Sequence, residues 1–136
     1  MAVRAQVPPE IVARLRLACV ALPEAYEEPA WVGVRWRIRK ETFAHVVMID
    51  GGWPPAYAKA AGAEGPACVL TFRSRIAELD PFNYAEPPFF RPMWWPDIAG
   101  LFLDEATDWD EVDRLVAGSY CKLAPKTLAQ KVEGAG

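Results

Sequence analysis

The chain has one histidine, His45, and only three cysteines, Cys19, Cys68 and Cys121, none close to another in sequence. A zinc site needs three or four nitrogen, sulfur or oxygen ligands within tetrahedral reach. This inventory points away from metal chemistry, and no metal or cofactor is expected. The same scarcity bears on nucleophilic catalysis, which requires a nucleophile held by a base and an orienting group. Ser119 falls in a helical stretch rather than on a G-x-S-x-G elbow. Gly51-Gly52 follows a strand but belongs to neither a G-x-x-x-x-G-K nor a G-x-G-x-x-G pattern. The cluster Asp108, Asp110, Glu111 and Asp113 sits where a helix begins, and the helix dipole accounts for it without catalysis. Glu27 and Glu28 read as solvated loop residues. No catalytic residue is assigned, and the expectation is a protein that is not an enzyme.

Isolated, odd-numbered cysteines do not make a disulfide framework and fit a reducing, cytoplasmic compartment. No apolar run is long enough to cross a bilayer, and the N-terminus lacks a long apolar stretch after a basic start. Net charge is −3, a poor overall balance for an anionic partner, so any such attraction must come from a local patch.

The sequence does contain the makings of an ordinary core. Of 136 residues, 52% are hydrophobic and 24% charged, enough for one domain without a covalent staple. Six tryptophans are present, and most are expected at core edges. The expected domain spans 8–131, monomeric, with 1–7 and 132–136 as flexible termini.

Pro8-Pro9 introduces an apolar series, Ile11, Leu15, Ala18 and Leu22, whose spacing predicts a helix over 10–22, ended by Pro23. Residues 31–39, WVGVRWRIR, alternate with period two and predict a half-buried strand. A second strand at 42–50 follows across Lys40-Glu41, predicting a tight antiparallel hairpin. Pairing Arg39 with Thr42 sets Trp36 opposite His45 and Val34 opposite Val47. One face then carries Val32, Val34, Trp36, Ile38, Phe43, His45, Val47 and Ile49, and the other the arginines. The Gly-, Pro- and Ala-rich 51–66 reads as a long connection with one helical turn near 56–61. A third strand covers 67–73, a short helix 74–80, and further strands 89–95 and 100–104. Asp108, with Glu111 three residues on, caps the last long helix, which Pro125 ends; another turn follows at 126–131. The order helix, three strands, helix, two strands, helix predicts an α+β fold, an antiparallel sheet with helices on one side.

Five segments in this order resemble the MmcQ/YjbR family: Leu22-Pro23-Glu24, Phe43-Ala44, Phe72-Arg73, a Trp-rich stretch before Gly100, and Asp108-Trp109 followed by SYCKLAPKTLA at 119–129. The similarity spans about 10–131. It implies a YjbR-like, secretion-chaperone-like architecture and the family's description as DNA-binding proteins. It carries over no catalytic residue, and fold analogy alone does not assign function.

Three partner readings stand side by side. In the first, Arg35, Arg37 and Arg39 share a face at intervals of about 6.6 Å with Lys40 at the turn, offering guanidinium forks to DNA phosphates in a weak, salt-sensitive contact. The alternative for those residues is a solvated face whose arginines pair with the chain's acids. In the second, Trp94 and Trp95 in PPFFRPMWWP form a protein-binding hot spot, or else pack at the core edge. In the third, a small molecule binds under the 51–66 connection acting as a lid.

Overall fold

The computed structural model describes residues 5–133. Helix α1 (Pro9–Cys19) is followed by strands β1 (Tyr26–Pro29), β2 (Val34–Ile38) and β3 (Glu41–Ile49), helix α2 (Pro55–Ala61), β4 (Ala67–Arg73), α3 (Arg75–Leu79), β5 (Phe89–Phe90), β6 (Ile98–Leu103), α4 (Trp109–Leu123) and α5 (Lys126–Glu133). The six strands form one antiparallel sheet in the order β1-β2-β3-β4-β6-β5. The class is α+β, as the periodicities imply. Relative to the expected order, β1 is added, and the single turns expected near 56–61 and 126–131 are the helices α2 and α5. Val7 is buried and α5 reaches Glu133, so packed structure extends past 8–131 at both ends. The expectation for residues 1–4 and 134–136 falls outside the described residues.

One sheet face builds the main core. Trp36, Ala44, Val46, Leu70, Phe72, Ala99, Leu101 and Leu103 pack with Leu15 and Cys19 of α1 and with Val112, Val116 and Tyr120 of α4. Asp108 caps α4 as predicted, its side chain accepting from the backbone N–H groups of Asp110 and Glu111. The opposite face is not open. Val47, Ile49, Val69 and Phe90 pack there against Tyr57, Ala58 and Ala61 of α2, so helices cover both sides rather than one. Gly100 lies under Phe90: a Cβ at Gly100 would stand 2.2 Å from that ring.

The hairpin register differs from the predicted one. Val34 pairs with Val46, Arg35 with His45 and Trp36 with Ala44. Beyond these, Arg37 pairs with Thr42 and Ile38 with Glu41. Phe43 is thus the extra residue of a β-bulge, which places Phe43 and Ala44 together in the main core. The bulge reverses the side taken by everything beyond it, so His45, Val47 and Ile49 lie on the second face, not beside Trp36. The turn is Arg39-Lys40, with Arg39 at φ 56°.

The bulge has a specific support. A residue left out of the ladder leaves backbone groups to be satisfied. The fully buried Ser119 hydroxyl of α4 donates to the Phe43 carbonyl at 2.6 Å and accepts from the Arg73 backbone N–H at 2.8 Å. Next to it, the Tyr120 hydroxyl donates to the Pro23 carbonyl at 2.7 Å, and its ring meets Phe43 edge-on.

Ser119→Ala removes both bonds and strands a carbonyl and an amide. Each stranded group costs about 1–3 kcal/mol. Urea denaturation is expected to show a loss of about 2–3 kcal/mol; a loss below about 0.5 kcal/mol would mean that both groups find other partners.

Candidate anion and aromatic recess

Strand β1 decides what becomes of the arginines. Glu27 and Glu28 are not loop residues; they pair across from Trp36 and Arg35. Glu27 accepts from the Trp36 indole N–H at 2.9 Å on the core side and from Arg16 at 2.9 Å. Glu28, on the other side, accepts from Arg35 Nε at 2.6 Å and from Arg37 Nη1 at 3.2 Å. Desolvation pushes the Glu28 carboxyl up, but the bonds from Arg35 and then Arg37 outweigh it and hold it below its ordinary value. Arg39, at the turn, pairs with Glu24 at 3.2 Å. Arg35 and Arg37 therefore share a face and one carboxylate, while Arg39 leaves the strand and has its own.

The second face narrows between α2 and the segment before β6 into a recess of about 300 Å³. Arg35, Lys40, Glu41 and Thr42 enter from the hairpin, His45 from β3, Tyr57 from α2, Thr71 and Arg73 from β4, and Trp94, Trp95 and Ile98 from the far side. Of the residues singled out in the sequence, Arg35, Lys40, Trp94 and Trp95 meet here; Arg37 and Arg39 do not line it. The two surfaces, basic and aromatic, thus line one hollow. Tyr57 was not singled out in the sequence, and Arg73 entered only through the Phe72-Arg73 segment of the family resemblance, not as a site residue. The available signal for Arg73 was a lone charge ending an otherwise apolar strand.

Each wall is held from behind. Arg73 Nη1 donates to Asp97 at 2.7 Å, and its guanidinium lies 4.8 Å from the centre of the Trp95 ring. Asp97, 8% exposed, also accepts from Lys122 at 2.9 Å. Its desolvation is outweighed by the Lys122 bond and the two cationic charges, so its carboxyl lies below the ordinary range. Trp94 packs edge-on to Tyr57 with ring centres 4.9 Å apart. Trp95 is 54% exposed, whereas Trp94 is half-buried.

His45 is engaged at both ring nitrogens. Its Nε2 lies 2.6 Å from the Val32 carbonyl, which can only accept, so Nε2 carries the proton. Nδ1 then accepts from the Tyr57 hydroxyl at 3.0 Å. Desolvation holds the His45 pKa below the ordinary value, against the Val32 bond that favours the charged form, and the Arg35 charge adds to the lowering. Burial pushes the Tyr57 phenol up to about 12 and the Cys68 thiol to about 12. The recess offers donors above all: the unused guanidinium N–H groups of Arg35 and Arg73, the Lys40 ammonium and two indoles. Its lining holds three cations against one carboxylate, Glu41. Among the described residues, no three His, Cys, Asp or Glu side chains converge as a metal cluster would.

The His45 geometry sets a pH dependence. Unfolded, the ring takes up a proton near 6.5; folded, its pKa is depressed. The unfolded state therefore binds more protons, and stability falls as pH drops below about 6.5. The lowered carboxyls of Glu28 and Asp97 lose their contributions only at more acidic pH. Thermal melts are expected to decline from pH 7 towards 5 in the wild type and to stay flat over that window in His45→Gln. A decline equally steep in the variant would place the proton uptake elsewhere.

No family model matches the chain, and no curated protein matches it. Among solved structures, a Pseudomonas syringae protein determined by the Northeast Structural Genomics Consortium is similar to it, with a TM-score of 0.57 and 10% identity over 84% of this chain and 96% of that one. At that identity the likeness establishes the shared fold.

Proposed function

We propose that the protein is a non-enzymatic binding domain of the MmcQ/YjbR type, whose recess takes a small oxygen-rich anion carrying a flat apolar group. One observation carries this reading: Arg35, Lys40 and Arg73 line a single hollow together with Tyr57, Trp94 and Trp95, and Trp95 is in contact with Arg73. Guanidinium forks match carboxylate and phosphate oxygens, and indole rings stack on any planar π system. The family resemblance gains support from contact between its segments. Pro23 and Phe43 are both tied to Ser119-Tyr120, and Arg73 bonds to the same serine. The non-enzymatic reading rests on a histidine with both nitrogens occupied and on thiols and a phenol pushed away from reactivity.

DNA enters this proposal in altered form. A strand end or an unstacked nucleotide presents a phosphate beside a flat ring, which is the chemistry the recess fits. A ribbon of free arginines reading a major groove is less well supported, because Glu28 and Glu24 already hold the three side chains. Weak single-strand binding through Arg35 and Lys40 is consistent with the recess.

Titration of nucleoside monophosphates, aromatic carboxylates, single-stranded oligothymidine and duplex DNA, followed by calorimetry at low and high salt, separates these readings. Saturable binding of at least one small anion is expected. Arg73→Ala should weaken it tenfold or more, in line with about 1.5–3 kcal/mol for a hydrogen bond to a charged group, while Arg37→Ala should leave it unchanged. Duplex binding abolished by Arg37→Ala but indifferent to Arg73→Ala would overturn the recess in favour of the arginine ribbon. No binding of any probe would remove both.

A further inference from the structure

The other side of the sheet end carries a second hollow, separate from the recess and built to a different plan. It is a slot of about 220 Å³ between α3 and α4. Phe72, Ile76, Tyr84 and Leu115 make it apolar, with Phe72 and Tyr84 packed edge-on at 5.7 Å. Arg75 and Arg114 stand at its rim, both exposed. Among the described residues neither makes an ion pair, in contrast to Arg14, Arg16, Arg35, Arg37, Arg39 and Arg73. The slot lining holds no carboxylate. Phe72 and Arg73 border both hollows, but the Arg73 guanidinium is committed to Asp97 and Trp95 on the recess side.

A second observation is independent of the charges. Gly118 lies inside the fifteen-residue helix α4 and lines this slot. A glycine in a helix interior is less favourable than alanine, and one found there usually has a packing reason. Among the described residues none exists here: a Cβ at Gly118 would meet nothing within 4 Å, and its φ is not in the left-handed region. Gly118 is exposed and borders the slot, so the open space lies at the slot's solvent edge. Arg114 and Gly118 are one helical turn apart, on the same face of α4. The helix thus presents a cation and, beside it, a bare stretch of backbone that another chain can approach closely.

We propose that this slot docks an acidic peptide segment of a partner protein, with one bulky apolar side chain inserted beside Gly118 and flanking carboxylates held by Arg75 and Arg114. The apolar lining, the two unpaired guanidiniums and the bare helix backbone each supply one part of that recognition. Ile76, 53% exposed, would be covered by the incoming segment.

The test uses fluorescein-labelled peptides of the form Asp-Glu-X-Asp-Glu, with X as Leu, Ile, Met, Phe, Trp or Ser, in anisotropy titrations against the full chain. At least one apolar X is expected to bind saturably and at least tenfold more tightly than Ser. Arg75→Glu/Arg114→Glu should weaken that binding tenfold or more. Gly118→Ala is the diagnostic variant. It should raise the melting temperature, because alanine favours the helix, and yet weaken the peptide several-fold by holding the incoming segment off the bare helix backbone. Trp94→Ala, in the other hollow, should leave the peptide unaffected. Absence of binding for every X, equal binding of the Ser peptide, or a Gly118→Ala protein that is more stable and binds unchanged would each overturn the proposal.

Discussion

The arrangement of this molecule depends on the Ser119 hydroxyl and the bulge it supports. A β-bulge leaves a carbonyl out of the ladder, and a buried carbonyl without a donor is costly. Ser119 supplies that donor to Phe43 and takes the Arg73 amide in return, so α4 is joined by hydrogen bonds to two neighbouring strands at once. The direct consequence is a change of side. With Phe43 and Ala44 both turned into the main core, every later residue of β3 exchanges faces relative to a regular hairpin. His45 then points at α2 instead of at Trp36, and Val47 and Ile49 form the bed on which α2 lies. Without the bulge, His45 would be buried beside the indole, and the second face would lose the apolar strip that holds its helix.

From this follows the second layer. Once α2 is seated, Tyr57 reaches His45 from above and Trp94 from the side. The Tyr57 hydroxyl is the donor that the neutral His45 ring needs at Nδ1, and the Val32 carbonyl is the acceptor it needs at Nε2. His45 and Tyr57 thus enter the recess with their own hydrogen bonds satisfied, while the cations and indoles are left to supply unused donors. A hollow of this kind is preorganised: its walls lose little freedom on accepting a ligand, which limits the entropic cost of binding.

How much of this could be read from the sequence follows a physical line. Helices α1 and α4 and strand β4 were legible because each buries one face, or both, and burial imposes a period on the residues. The Asp108 cap was legible because capping is local. The bulge was not, since its stabilising hydroxyl lies 76 positions from the residue it supports and no local composition marks Phe43 as unpaired. Strand β1 was not legible either. Tyr26–Pro29 has two acids and a proline, which by propensity read as loop; it is an edge strand held by pairing of Glu28 with Arg35 and of Glu27 with Trp36. The misread strand altered the site reading most. Arg35 and Arg37 share a side as expected whereas Arg39 leaves it, and the carboxylate that pairs the first two sat in a stretch read as solvated. Arg35, Lys40, Trp94 and Trp95 were each picked out, as two unrelated surfaces, because nothing in the order of residues shows that the chain returns at 94–95 to face the hairpin.

The carboxylates behind the recess also shape what it can select. Arg35 and Arg73 are the strongest potential anion binders in it, and each is backed by an acid outside the lining, Glu28 and Asp97. Three unneutralised cations around a 300 Å³ hollow would repel one another and attract any anion without discrimination. With two of them paired from behind, the long-range field weakens while the direction of the remaining N–H groups is fixed. Selection then shifts from net charge to hydrogen-bond geometry and ring contact, which work only at short range. Lys122 completes the logic for Arg73. It shares Asp97, so a ligand that draws the guanidinium inward does not leave that nearly buried carboxylate without a cation. For Arg35, the pairing with Glu28 that makes it a poor member of a nonspecific phosphate ribbon is therefore the same one that holds its guanidinium in a fixed orientation at the recess.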